Sequence, residues 1–374
     1  MRLQPKGVHE GDAKASEDVG TSESDLSHRH SRRQFLARAS ATGLTLAGAG
    51  GLISACGSSK GKSGGGGGSG KGPYHWRTGL DVGPGNAIWD SYQNMLTSIE
   101  EKTNGEVKFD TFPNAQLGSE ADNFKDLQNG SLEMNLITTS VITATVPELT
   151  LFSLPYVFGT NEDTNKAIVS SAKEGQEQAL AAQGVHVIGW ENAGARQLGG
   201  TSLYVHPSEI KNVKVRTVET PVFVEFFKAA GAVPTPLSSE EVFEALKQGV
   251  VDAYDQPLGN IVTFKWYEAA NKLTLTSHAY SILFLGFNKK LWETLPSELQ
   301  ETITEVATEN MASFGGEQQS IQEKAATELE AKGCKIEEAD LEEWRGVAEK
   351  IYPKFASQVG GMSAIESLRS SQGL

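Results

Sequence analysis

The fold is decided by residues 214–257, which read KVRTVETPVFVEFFKAAGAVPTPLSSEEVFEALKQGVVDAYDQP. Residues 213–218 have the β-branched composition of a strand, and residues 222–230 form an apolar helical stretch that ends at Gly231. A further short helix is predicted over residues 240–247. Short strands that alternate with amphipathic helices are typical of the α/β class.

The same alternation extends in both directions from this stretch. Further strands are predicted over residues 75–80, 107–112, 134–137 and 185–190. Further helices are predicted over residues 87–102, 120–129 and 165–183, and residues 297–332 read as one long helix or two. A folded body of about 300 residues exceeds what one hydrophobic core fills, so two domains are expected.

Composition excludes one class of partner. The chain has 374 residues and a formal net charge of -14, and after residue 55 it carries 26 Lys and Arg against 41 Asp and Glu. A surface this acidic repels phosphate backbones, so no nucleic-acid partner is expected. Glycine is concentrated at the start, with 16 of 40 in residues 1–72. The folded body therefore begins near residue 73.

An export signal is predicted before the body. Ser31-Arg32-Arg33-Gln34-Phe35-Leu36 precedes an uncharged stretch over residues 39–55, in the order of a secretory signal peptide. This stretch has 17 residues with four glycines, too short and too polar to span a bilayer well. The pair Arg32 and Arg33 resembles the twin-arginine export signal.

The signal ends at a cysteine. Leu52-Ile53-Ser54-Ala55-Cys56 resembles a bacterial lipobox, which implies that Cys56 is diacylated and becomes the mature N-terminus. Residues 1–55 are thus predicted to be a twin-arginine lipoprotein signal peptide, and residues 56–72 a lipidated cysteine and Gly-rich tether. The predicted location is the periplasm or the outer face of the cytoplasmic membrane.

The body offers little catalytic or metal chemistry. Cys334 is its one cysteine, which rules out an intrachain disulfide there and favours a buried structural thiol. Residues 73–374 contain no Gly-x-Ser-x-Gly, His-Glu-x-x-His or phosphate-loop motif. The histidines have no ligand partners at helical or hairpin spacing. We therefore expect no enzyme activity, no metal and no cofactor.

Arginine is scarce and therefore informative. Five of the 26 basic residues after residue 55 are arginines, and two of them, Arg196 and Arg216, lie in Gly- and strand-rich sequence. A planar guanidinium donates two parallel hydrogen bonds to a carboxylate, which lysine cannot do. Each of these arginines is either a carboxylate clamp or a partner in a structural ion pair.

The body resembles a known family. The core of the resemblance is Lys214-Val215-Arg216, Gly231-Ala232-Val233-Pro234, residues 241–252 and Asp255-Gln256-Pro257. Support upstream comes from Thr103-Asn104-Gly105, Phe112-Pro113, Gln116-Leu117-Gly118, Leu127-Gln128-Asn129-Gly130 and Leu154-Pro155-Tyr156, and downstream from Thr276-Ser277-His278 and Asn288 with Trp292. In order and spacing, this pattern resembles the DctP-type extracytoplasmic solute-binding proteins of TRAP (tripartite ATP-independent periplasmic) transporters.

The resemblance implies a two-lobed fold, like that of periplasmic binding proteins, with a ligand cleft between the lobes and hinge strands. Lobe I is predicted over residues 73–193 with part of 282–320, and lobe II over residues 194–281 with part of 321–374. Such a protein closes on an organic anion and delivers it to the small and large membrane subunits of an ion-gradient-driven transporter. The partners implied are thus a small organic acid, these membrane subunits and, through Cys56, the membrane.

The family's main carboxylate clamp falls on Arg216 and its second frequent arginine on Arg196. Gln256 stands where relatives often have Asn, which keeps the amide but lengthens the side chain by one methylene. Thr138 and Ser239 stand where the sialic-acid binders have Glu and Phe, which argues against sialic acid as the ligand.

Other residues reach the expected ligand position from loops and helix ends. Asp81 and Asn86 follow the first strand, and Glu120 either binds ligand or complements the dipole of the helix that it opens. Thr138 is a pocket residue or an ordinary strand end. Phe223 and Trp190 are expected to pack in the core.

The resemblance leaves one functional alternative open, a binding protein that reports ligand occupancy to a membrane histidine kinase. An exported enzyme would need a catalytic constellation that the sequence does not offer. A binding lipoprotein of an ABC transporter fits the anchor and the fold class, but the pattern from Arg216 to Pro257 argues against it.

Overall fold

The computed structural model describes residues 74–374. Its first part follows the predicted pattern closely, with strand β1 (Tyr74–Gly79), helix α1 (Ala87–Lys102), strand β2 (Val107–Phe112), helix α2 (Glu120–Asn129) and strand β3 (Met134–Thr138). Local signals set the helix limits. The Asn86 side chain caps α1 by accepting from the Ile88 amide, Ser119 caps α2, and Gly130 ends α2 in the left-handed conformation.

The next part differs from the sequence prediction. It contains helices α3 (Thr150–Ser153), α4 (Asn161–Ile168) and α5 (Glu174–Ala182), followed by strand β4 (Val185–Gly200). The single helix predicted over residues 165–183 is wrong, because the helix breaks after Ile168. The Ser170 side chain there accepts from the Ala172 amide and caps a new turn, so the hydroxyl competes with helix continuation.

The stretch that decided the fold class forms strand β5 (Lys214–Thr217), helix α6 (Pro221–Ala229), strand β6 (Val233–Pro236), helix α7 (Val242–Lys247), strand β7 (Ala253–Pro257) and helix α8 (Leu258–Thr263). Strand β5 lies between β6 and β7 and is parallel to both. The α/β prediction is confirmed.

The last part begins with strand β8 (Lys272–Asn288) and helix α9 (Lys289–Trp292). Helix α10 (Ser297–Ala331) is one continuous helix of 35 residues, and it is followed by strand β9 (Lys335–Glu338) and helices α11 (Leu341–Glu349), α12 (Tyr352–Phe355) and α13 (Met362–Ser370). Cys334 lies just before β9 and is 8% exposed, which confirms a buried thiol.

Two sheets organise the body. Strands β1 and β2 form a parallel pair, and the other seven strands form one mixed sheet in the order β3-β8-β4-β7-β5-β6, with β9 pairing with β8. Strands β4 and β8 are long enough to contribute to both halves of this sheet. The end of β8 pairs with β3, and its start pairs with β9.

Three continuous elements pass between the predicted lobes. Strand β4 crosses the boundary at residue 193, β8 crosses at residue 281, and α10 crosses at residue 320. The pairing of β4 with β8 is irregular between Asn192 and Ala195. Gly194, inside this bulge, has a φ of +94°, and a Cβ there would lie 2.5 Å from Nε2 of Gln322 on α10. Glycine therefore allows the strand to bend where the long helix passes close to it.

Candidate functional site

A cavity between the two predicted lobes holds most of the predicted site. Its empty space is about 780 Å³, a figure that includes the solvent-filled mouth. Seven of the eight predicted ligand-binding residues line it, namely Asp81, Glu120, Thr138, Arg196, Arg216, Ser239 and Gln256. Asn86 does not line this cavity.

Arg216 is a buried cation without a carboxylate partner in residues 74–374. It projects from β5 and is 1% exposed. Its Nε donates to the Leu237 carbonyl at 2.9 Å, and its Nη1 lies 3.4 Å from the Asp255 carbonyl oxygen. No described carboxylate lies within 4.0 Å of the guanidinium, and Nη2 has no described hydrogen-bond partner. Burial lowers the pKa of Arg216 to about 10, so the side chain is still charged at neutral pH.

Arg196 is engaged by the protein itself. Its Nε donates to Oδ2 of Asp255 at 2.6 Å, and its Nη2 donates to the Asp255 carbonyl at 2.8 Å. Its Nη1 donates to Oε1 of Gln256 and to Oγ of Ser281, both at 3.1 Å. Because Oε1 of Gln256 is occupied, the Gln256 amide can present its N–H groups to the cavity. Arg196 thus orients the residue next to the free guanidinium.

Asp255 holds the Arg196 guanidinium in place. It is fully buried on β7, and the His278 Nε2 lies 3.5 Å from the same Oδ2 that accepts from Arg196. Burial opposes ionisation, but Arg196 and His278 outweigh it and hold the pKa of Asp255 well below its usual range. Burial lowers the pKa of His278, which favours the neutral ring. Arg196 and Asp255 therefore form a buried ion pair, of which Arg196 lines the cavity.

Lobe I contributes acidic groups. Asp81 follows β1, and Glu120 is the first residue of α2, where its Oε1 accepts from the Thr138 backbone amide at 2.9 Å. The sequence predicted either a ligand-binding role or a helix-dipole role for Glu120. Its position is compatible with both, because Glu120 is the first residue of α2 and also lines the cavity. Burial, together with the Glu240 carboxylate, raises the pKa of Glu120 despite that hydrogen bond. Burial and the neighbouring carboxylates of Glu120 and Glu240 raise the pKa of Asp81 well above its usual value.

Sequence reasoning missed several residues that line the cavity. They include two acidic and three polar residues of the predicted lobe II, namely Glu219, Glu240, Ser238, Asn260 and Ser281. The signal for Glu240 was present but ambiguous. Ser238-Ser239-Glu240-Glu241 reads as a capping box, and Glu241 does cap its own turn through the Ser238 amide. Its neighbour Glu240 is thereby placed at the cavity.

Asn86 connects the two lobes instead of facing the cavity. Its Nδ2 donates to Oδ1 of Asn260 at 3.0 Å and to Oγ1 of Thr263 at 2.9 Å, both on α8 of lobe II. Its Oδ1 caps α1. These bonds join the start of α1 to α8 across the predicted lobe boundary.

Removing one of the two hydrogen bonds from Asn86 should weaken the contact between α1 and α8. We expect Thr263→Val to weaken ligand binding about two- to tenfold, because one interlobe hydrogen bond contributes about 0.5–1.5 kcal/mol. The matched control is Thr302→Val on α10. Thr263 donates to the Gly259 carbonyl four residues earlier, and Thr302 donates in the same way to the Glu298 carbonyl but makes no bond across the predicted lobe boundary. Calorimetric titration of both variants checks the result. Equal affinities would show that the connection does not contribute to closure.

The remaining predictions have mixed outcomes. Phe223 and Trp190 are 1% and 6% exposed and belong to the hydrophobic core, which confirms the packing prediction. Among residues 74–374, no helix has the length and apolar character needed to cross a bilayer. The predictions for Arg32, Arg33 and Cys56 fall outside the described residues.

The fold and the cleft define a two-lobed solute-binding protein. The family model of the bacterial extracellular solute-binding proteins, family 7 (DctP), matches residues 81–358. The chain belongs to this family of TRAP solute-binding proteins, as its sequence pattern indicates.

Individual relatives extend the comparison. A solute-binding protein of Verminephrobacter eiseniae is 30% identical over 278 residues, covering 73% of this chain and 82% of the relative. The C4-dicarboxylate-binding periplasmic protein DctP of Rhodobacter capsulatus is 26% identical over 266 residues, covering 70% of this chain and 80% of the relative. A TRAP periplasmic solute-binding protein of Chromohalobacter salexigens with bound D-glucuronate is 25% identical with a TM-score of 0.75, covering 80% of this chain and 99% of that one. The last two relatives are described with different acids, a C4-dicarboxylate and D-glucuronate.

Proposed function

We propose that the protein captures a small organic acid in the cleft and delivers it to the membrane subunits of a TRAP transporter. Arg216 carries the proposal, because it is buried and charged and has no carboxylate within 4.0 Å in residues 74–374. An unpaired buried charge is costly unless a partner neutralises it. A ligand carboxylate supplies this partner, and its two oxygens match the geometry of a guanidinium.

The other cavity residues have complementary roles in this proposal. The Gln256 amide donates to the same carboxylate, and Arg196 keeps the amide oriented. Asp81, Glu120, Thr138 and Ser239 bind the rest of the ligand. Closure of lobe I on lobe II then removes the ion pair from water, where the lower dielectric strengthens it.

The proposal includes export and anchoring. Arg32 and Arg33 direct export, and acylation of Cys56 holds the protein at the membrane where the transporter lies. A Cys56→Ser variant that stays in the membrane fraction would contradict the anchor. Neighbouring genes for one small and one large multi-helix membrane protein would favour transport, whereas a histidine kinase gene there would favour the sensing alternative.

A ligand screen tests the binding function. We expect the purified protein to show a raised unfolding midpoint with one class among monocarboxylates, C4-dicarboxylates, 2-oxo acids, sugar acids and aromatic acids, since a ligand that binds only the folded state stabilises it by mass action. Native mass spectrometry of the same sample would detect a ligand retained from the cell. If no acid shifts the midpoint and the mass spectrum shows an empty protein, the proposed function is wrong.

A further inference from the structure

Four acidic side chains share the cavity with Arg216. Asp81 and Glu120 come from the predicted lobe I, and Glu219 and Glu240 come from the predicted lobe II. The carboxylates of Asp81 and Glu240 accept no hydrogen bond from another residue in the described range, and Glu120 has only its bond from Thr138. The cavity therefore has a surplus of free hydrogen-bond acceptors, which a ligand with hydrogen-bond donors would satisfy.

The same carboxylates make binding of a second negative charge in the cavity unfavourable. Arg216 is the one cation in the cavity that has no carboxylate partner among residues 74–374, since Arg196 pairs with Asp255. Burial raises the pKa of both Asp81 and Glu120, and repulsion among the carboxylates of Asp81, Glu120 and Glu240 raises it further. The cavity can thus neutralise one ligand carboxylate, and a second one would add to the repulsion.

The acidic groups do not converge as they would around a cation. Within residues 74–374, the one trio of His, Cys, Asp or Glu ligand atoms within 4.8 Å of one another is His206, Asp340 and Glu343, and none of these lines the cavity. A metal ion or an ammonium group needs its oxygen ligands gathered around one point. Separated acceptors instead suit several donors spaced along a ligand, as hydroxyl groups are along a sugar chain.

We infer that the cleft selects polyhydroxylated monocarboxylates, of the aldonate or uronate type, and discriminates against dicarboxylates of the same carbon skeleton. In this arrangement Arg216 and Gln256 hold the single carboxylate, while Asp81, Glu120 and Glu240 accept from hydroxyl groups. The inference rests on the proposed function, and it names the class of ligand that the site takes.

Calorimetric titration with matched acids tests this. The probes are D-gluconate, D-glucuronate and D-glucarate, with D-galactonate, D-galacturonate and galactarate as a second skeleton and hexanoate as a monoacid without hydroxyls. We expect a monoacid of one skeleton to bind at least tenfold more tightly than its diacid, and hexanoate to bind at least tenfold more weakly than that monoacid. The inference is overturned if a diacid binds as tightly as its monoacid. It is also overturned if hexanoate binds as tightly as the best sugar monoacid.

The two proposals fail in different ways. If none of the sugar acids binds but a C4-dicarboxylate or a 2-oxo acid does, the inference is wrong and the proposed function stands. If no organic acid binds and the protein is isolated empty, both are wrong.

Single substitutions show which residues cause the discrimination against diacids. Glu240→Gln removes one negative charge from an exposed position with little risk to folding, so the ratio of diacid to monoacid Kd should fall at least threefold. The matched control is Glu241→Gln, its neighbour in sequence, which caps its own turn and does not line the cavity. If both variants keep the parent ratio, Glu240 does not set the discrimination. Asp81→Asn provides the same test from lobe I.

The pH dependence has a definite sign. Lowering the pH from 8 to 5 moves Asp81 and Glu120 toward their neutral forms, since their pKa values are raised. The charged groups that act on them are Arg216, Arg196 and Glu240. The ratio of diacid to monoacid Kd should therefore fall as the pH falls, and a ratio that rises would contradict the electrostatic origin.

Discussion

The Arg216→Lys variant should bind the organic acid at least about 100-fold more weakly than the parent protein, and Arg216→Ala should bind it more weakly still. Lysine keeps the charge but cannot donate two parallel hydrogen bonds to one carboxylate. In the alanine variant the carboxylate would be desolvated without a partner, which costs about 3–5 kcal/mol. Calorimetric titration of the purified variants measures both effects.

The control for this prediction is Arg345→Lys, because Arg345 lies on α11 and does not line the cavity. Its affinity should equal that of the parent. Circular dichroism should show that Arg216→Lys is folded, so that the loss belongs to the site and not to the fold. Binding of parental strength in Arg216→Lys would mean that another residue holds the carboxylate.

The largest effect on stability is expected from Asp255→Asn. This substitution leaves the Arg196 guanidinium buried without a counter-charge, which should cost about 3–5 kcal/mol of unfolding free energy and lower the unfolding midpoint by at least about 6 °C. The double variant Arg196→Met with Asp255→Leu removes both charges together and should recover most of the stability. Chemical unfolding of the parent, the single variant and the double variant measures this.

The same ion pair predicts a pH dependence. The folded protein holds the pKa of Asp255 well below its value of about 3.9 in an unfolded chain. Its contribution to stability is therefore complete above pH 4 and is lost as the pH falls further, since protons then bind the unfolded state first. The stability gap between the parent and Asp255→Asn should narrow below about pH 4. A gap that stays constant down to pH 3 would show that the ion pair is not its source.

The sequence predicted local elements well where local signals set their limits. Helices α1 and α2 and strand β2 have the predicted bounds, because caps and turns such as Asn86, Ser119 and Gly130 lie next to them. The second half of β4 was missed, since Glu191 to Gly200 is polar and glycine-rich and becomes a strand only by pairing with β7 and β8. Strand pairing between distant segments leaves no such local signal.

The candidate site was predictable in a similarly limited way. The rarity of arginine and the family resemblance pointed to Arg216 and Arg196, but not to their different surroundings. Only the fold shows that Asp255 forms an ion pair with Arg196, whereas Arg216 has no carboxylate partner among residues 74–374. Glu240 was overlooked because the capping-box pattern of Ser238 and Glu241 explains the acidic residues there as a helix start, and only the fold places Glu240 at the cavity.

The passage of β4, β8 and α10 through both halves of the molecule bears on how such a binding protein diversifies. A chimera that takes one lobe from a relative needs three junctions, and each would fall inside a paired strand or a continuous helix. Recombination would thus bring side chains from two different proteins together in the closely packed core. Point substitutions at the cleft avoid this cost, so a change of ligand is more accessible through single residues such as Glu240 than through exchange of whole lobes.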